Sequence, residues 1–137
     1  MDMQRAAAAA LLSAALGAAC PAQAQFPPKI PRAQLDAMFE NMREKSHWNV
    51  DGPLLWGYFF LDTDRKKLAD AGAELAKQGY RVVGVESVDG KPVSRLHVER
   101  VEVHSPATLD ARDIELEAFA RAHHIASYDG MDVGPAP

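Results

Sequence analysis

The sequence predicts an α+β domain of the ferredoxin-like, split-βαβ class: a four-stranded antiparallel sheet preceded by an N-terminal helix. Three observations lead there. Two long amphipathic segments each run into a β-rich stretch. An Asp-Gly hairpin signal joins two strand-like runs. After the first helix the segments follow the order β-α-β-β-α-β. In that class both long helices lie on one face of the sheet, and the first and third strands are central.

The first segment stands apart from the fold. "MDMQRAAAAALLSAALGAACPAQAQ" has a positive Arg5, an apolar run from Ala6 to Ala19 too short to anchor, and an A-x-A site at Ala22–Ala24. It predicts a signal peptide over residues 1–24, cleaved between Ala24 and Gln25, and an exported, periplasmic protein. Cys20, the sole cysteine, closes "LGAAC" and gives the alternative of a lipoprotein. Membrane attachment follows only if Cys20 is lipidated; a leader that does not work as a signal leaves the chain in the cytoplasm. Cleavage after Ala24 leaves no cysteine, hence no disulfide, no thiol nucleophile and no Cys-based zinc site.

"QFPPKIP" opens a proline-rich spacer over residues 25–33, and the domain spans 34–134. Pro31 suits the first position of a helix. Leu35, Met38, Phe39 and Met42 recur at helical spacing, and Asp51-Gly52-Pro53 makes a turn. "LLWGYFFL" is short, apolar and aromatic, which reads as a strand with Trp56, Tyr58 and Phe60 on one face and Leu55, Phe59 and Leu61 on the other. Both faces are hydrophobic, so cover is expected on each. In "DTDRKKLADAGAELAKQG", Asp62, Thr63 or Asp64 caps a helix, Leu68, Ala71, Gly72 and Leu75 form its buried stripe, and Gly79 stops it. "YRVVGVESV" and "VSRLHVERVEVH" are strands joined by Asp89-Gly90. Ser105 and Pro106 start the second long helix. "IASYD" is the last strand, ended by a tight turn at Asp129-Gly130 with Tyr128 tucked against the sheet.

The chain carries a formal charge of −4, without a basic run, which disfavours direct nucleic-acid binding. His97 and Glu99 share one strand face, and Glu102 and His104 the other. A His-x-Glu pair is a possible start of a metal site but lacks a third ligand. His123 and His124 close the second long helix, where the dipole favours them. No serine lies in G-x-S-x-G, and no phosphate-binding glycine loop is present. "DGMDVG" has neither the spacing nor the glutamate of a calcium loop. Trp56, Tyr58 and Phe60 read first as core packing; with Met131 they are also the candidate interaction surface.

The residues resemble a known family. "SYDGMDVG" is similar to the Tyr-Asp-Gly signature, Tyr128, Asp129 and Gly130, that closes the regulator of ribonuclease activity B family. "LAKQGYRVV" resembles its first long helix running through Gly-Tyr into the second strand, and "WGYFFLDTD" its aromatic first strand. The resemblance covers about Gln34 to Gly134. It implies a small, acidic, non-enzymatic protein that needs no cofactor, and it implies a protein partner, ribonuclease E, whose cleavage of RNA is restrained. Met131 departs from the tryptophan frequent at that position in the family, and the long acidic tail of some members is absent. The leader also departs: an exported chain does not meet a cytoplasmic ribonuclease, so export implies a different, envelope partner. The alternative is an exported small-ligand or metal-binding protein, or an enzyme, using His97 and Glu99. A purely structural envelope protein is a third reading.

Overall fold

A computed structural model describes residues 30–137. The predicted signal peptide, the Ala24–Gln25 site, Cys20 and most of the proline-rich spacer lie outside them. The elements are α1 (Arg32–Lys45), β1 (Leu54–Asp62), α2 (Arg65–Lys77), β2 (Arg81–Ser87), β3 (Ser94–Glu102), α3 (Pro106–Ala122) and β4 (Ser127–Pro135). The sheet has the order β2-β3-β1-β4 with antiparallel neighbours throughout. The expected α+β, ferredoxin-like arrangement is the one observed, with β1 and β3 central.

The helix boundaries have local causes. Pro31 is the N-cap of α1 rather than its first residue, so the helix begins at Arg32, and it takes in two residues assigned to the spacer. Asp64 caps α2 by accepting from the backbone N–H groups of Lys66 and Lys67, and Gly79 leaves the helix at φ 98°. Ser105 and Thr108 form a capping box on α3, with Pro106 in its first turn. At the other end of α3, His123 stacks on Phe119 at 4.1 Å, and His124 takes the left-handed position at φ 58°. These histidines therefore shape a helix exit, beyond any dipole effect.

The three helices supply one core on one side of the sheet. Leu35, Phe39 and Met42 of α1, Leu68, Ala71 and Leu75 of α2, and Leu109 and Leu116 of α3 are buried there. Gly72, also buried in α2, lets the helix sit close to β3 and β2: a Cβ would stand 3.2 Å from Leu96. Trp56 stacks on Phe39 with centroids 5.9 Å apart, Tyr58 meets Tyr80 edge-on, and Phe60 lies 5.3 Å from Tyr128.

Two expectations are corrected. Among the described residues, cover on both faces of β1 is not observed: Leu55, Phe59 and Leu61 are only half-buried, and the described helices lie on the other side. The last strand is also longer than "IASYD". It runs on through Pro135, and Asp129-Gly130 is a β-bulge within it. Phe60 pairs with Tyr128 and Phe59 with Gly130, leaving Asp129 as the extra residue, while Gly130 adopts φ 103°. The positive φ that suggested a turn is spent on the bulge instead.

Candidate functional site

Two constellations of polar side chains stand on opposite faces of the sheet. On the helix side, β3 ends with Glu102, and His104 follows before the cap of α3. Tyr58 donates a 2.6 Å hydrogen bond to Glu102 Oε2, and His104 Nε2 lies 3.1 Å from that same oxygen. Thr108 meets the other ring nitrogen of His104 at 2.9 Å. Arg112 pairs with Glu102 Oε1 and Glu115, while Arg100 covers the Tyr80 ring at 4.3 Å. Burial alone would raise the Glu102 carboxyl. Hydrogen bonds from His104, Tyr58 and Arg112 outweigh it and hold the group at about 2. A shallow groove lined by Arg100, Glu102, His104, Thr108 and Arg112 runs beside this cluster. Its charges are turned on one another, so the cluster ties β1, β3 and α3 together.

A second buried pair secures the family-like signature. Tyr128 donates to Asp113 Oδ1 at 2.6 Å, joining β4 to α3. Burial lifts the Asp113 carboxyl to about 6, against the pull of that hydrogen bond.

Among the described residues, the other face of the sheet carries no helix. Register places Leu55, Gly57, Phe59 and Leu61 of β1 beside Val101, Glu99, His97 and Arg95 of β3. Asp132 of β4 lies opposite Gly57, and Arg81 of β2 opposite Glu99. Phe59 is held between His97, stacked at 4.4 Å, and the Arg95 guanidinium, 5.1 Å from its centroid. Arg81 Nε donates to Glu99 at 2.7 Å. The face is thus an apolar strip with paired charges along one side.

The sequence-predicted residues separate on this frame. Trp56, Tyr58 and Phe60 are all but inaccessible, at 1%, 0% and 0% exposure, so as a candidate interaction surface they are corrected to core. Met131 sits opposite Tyr58, half-buried against the same core. His97 and Glu99 do share the uncovered face, but they do not converge: one stacks on Phe59 and the other is bound by Arg81. Among the described residues, no three His, Cys, Asp or Glu side chains come together as a metal cage. Tyr128 is buried, Asp129 is exposed at the bulge, and Gly130 is the bulge residue with positive φ. Phe59 and Asp132 were missed as site residues. The alternation of β1 already placed Phe59 away from Trp56, whereas reading Asp129-Gly130 as a turn removed Asp132 from the sheet.

The family model described as regulator of ribonuclease activity B matches residues 32–133. No curated protein matches the chain.

Proposed function

The chain belongs to the regulator of ribonuclease activity B family, and from that premise we propose that it is a non-catalytic, protein-binding regulator that docks its partner on the uncovered sheet face. One observation carries the reading. Leu55, Phe59 and Leu61 are half-buried and Val101 is 48% exposed on a face that no helix among the described residues covers. Apolar side chains interleaved with charged ones on an uncovered sheet suit protein contact. The polar cluster on the helix side fits the same reading, because its acids and bases are paired with one another where they line the shallow groove.

The leader decides which protein is met. A chain exported by residues 1–24 regulates an envelope partner, and a chain that keeps its N-terminus meets ribonuclease E. Fractionation with N-terminal sequencing separates the two; Gln25 as first residue in the periplasmic fraction is the outcome expected. A start at Cys20 in the membrane fraction would mark the anchored form.

For the chain that keeps its N-terminus, the regulatory reading is tested by RNA cleavage with purified ribonuclease E, followed with and without Leu61→Asp; absence of any restraint removes ribonuclease E as the partner. Restraint of cleavage that disappears with this substitution supports docking through the uncovered face. Restraint of equal strength in the variant overturns it.

A further inference from the structure

At one end of the sheet β3 outruns β2. The last β2 residue paired with β3 is Arg81, opposite Glu99, whereas on its other side β3 stays paired with β1 as far as Glu102, opposite Leu54. Before Arg81 the chain turns back into α2: Gly79 N–H donates to Ala76 O, and Tyr80 N–H to Leu75 O. Among the described residues, β3 from Arg100 onward therefore has no strand beside it on the β2 side. The hairpin fixes how its backbone points there. Val88 N–H donates to Val93 O at 3.2 Å, so the N–H and C=O of Val93 face β2. Alternation along β3, whose register with β1 is unbroken, gives Arg95, His97, Glu99 and Val101 the same direction. Val101 thus presents a donor and an acceptor to the space where β2 has ended.

That space is the shallow groove, of about 730 Å³, a size that holds a ligand. One wall is the unbroken run Arg100–His104, and the other is one face of α3, formed by Thr108, Ala111, Arg112 and Glu115. Successive side chains of an extended chain point to opposite faces, so a groove on either face would meet only alternate residues. A groove lined by consecutive residues follows the edge. The outer edges of the sheet are blunted by bulges, at Val83 on β2 and at Asp129 on β4. The edge at Val101 carries no bulge and is walled by a helix. Exposed apolar side chains gather around it: Val101 and Val103, 48% and 58% exposed, line the groove, and Ile114, 54% exposed, lies three residues from Ala111 on α3. The charges of the groove are balanced, since Arg100 and Arg112 both lie against Glu102, and Arg112 also against Glu115. Backbone groups to pair, apolar side chains at alternate positions and no unbalanced charge are what an uncharged, extended chain takes up.

We propose that the groove between the β3 edge at Val101 and α3 receives an uncharged, extended segment of the partner protein, which adds a short strand to the sheet. The proposal rests on the reading of the chain as a protein-binding regulator, and it adds a second contact that adjoins the uncovered face at Val101.

The test uses the full chain, isotope-labelled for NMR, titrated with the acetylated and amidated peptide Thr-Val-Thr-Val-Thr as the probe. Amide shifts centred on Val101, Val103 and Ala111 are expected, with slowed hydrogen exchange at the Val101 amide. The same peptide with every backbone nitrogen methylated binds about tenfold or more weakly, the scale of a backbone acceptor left unmatched. Ala111→Trp, at an exposed position that faces the groove, gives the same loss by filling it, and a thermal melt establishes that the variant folds. Absence of binding overturns the proposal, as does equal binding of the methylated peptide or binding centred on Leu55, Phe59 and Leu61. A dimer that protects the Val101 amide without peptide also overturns it, by assigning the edge to a second copy of this chain. Leu61→Asp lies outside the groove and leaves peptide binding unchanged, so failure of the docking face shows in the cleavage assay alone.

Discussion

The Tyr128 hydroxyl donates a 2.6 Å hydrogen bond to Asp113 Oδ1, and both residues are buried. This pair links the Tyr-Asp-Gly segment to α3 and explains the tyrosine as a structural residue. Tyr128→Phe keeps the ring and removes the donor. It is expected to cost about 1–3 kcal/mol, because a buried carboxylate loses its partner. Denaturant unfolding measures this, and a loss near zero would show the bond to be dispensable.

Asp113 also sets a pH dependence. Its carboxyl is raised to about 6 in the folded chain, above the ordinary value of 3.8. The folded state thus holds the proton more tightly than the unfolded one. Its contribution to stability is complete below the unfolded value and declines as pH rises through about 6. Asp113→Asn is expected to flatten the stability profile between these two values. Melting temperatures taken across that range check it against the wild type.

Glu102 works in the opposite sense. Its carboxyl, held at about 2, makes a contribution that is present above the ordinary value of 4.5 and fades as pH falls toward 2. Glu102→Gln breaks the pair with Arg112 and weakens the contact with Tyr58. A loss of about 2–4 kcal/mol at neutral pH is expected, shrinking in acid. Urea unfolding at neutral and acidic pH reads both effects.

Trp56 separates core from surface. Trp56→Ala is expected to cost about 3–5 kcal/mol, because the ring is enclosed beneath α1 and stacked on Phe39. A near-neutral change with lost partner binding would return the ring to the interaction surface.

Leu61 belongs to the other face. Leu61→Asp is expected to change stability by less than about 1 kcal/mol while removing partner binding. Calorimetric melts and the cleavage assay are read together, so that unfolding is not mistaken for lost contact.

Much of this architecture was legible in local pattern. Asp64, Gly79, Ser105 and Pro106 act where their chemistry predicts, since caps depend on a few neighbouring atoms. The buried stripe of α2 holds at all four positions. The aromatic strand was harder. Its alternation separated Phe59 from Trp56, but pattern alone does not reveal that the described helices all pack on one of its two apolar faces. That depends on distant segments of chain. The approach of His97 and Asp132 over Gly57 was hidden for a related reason: the three come from three strands, and their meeting follows from register. Asp-Gly signals positive φ, and positive φ serves a bulge as readily as a turn.

The bulge also governs the parity of everything after it. With Asp129 set outside the ladder, Met131 and Val133 point to the core side and Asp132 to the open side. Removing Asp129 would let Tyr128 and Gly130 follow one another in ordinary pairing, and no later side chain would change sides. Removing Met131 instead would bring Asp132 opposite Tyr58, sending a carboxylate into the core and uncovering Gly57. Two single-residue deletions only two positions apart thus differ in kind: one smooths the strand, and the other turns its end inside out.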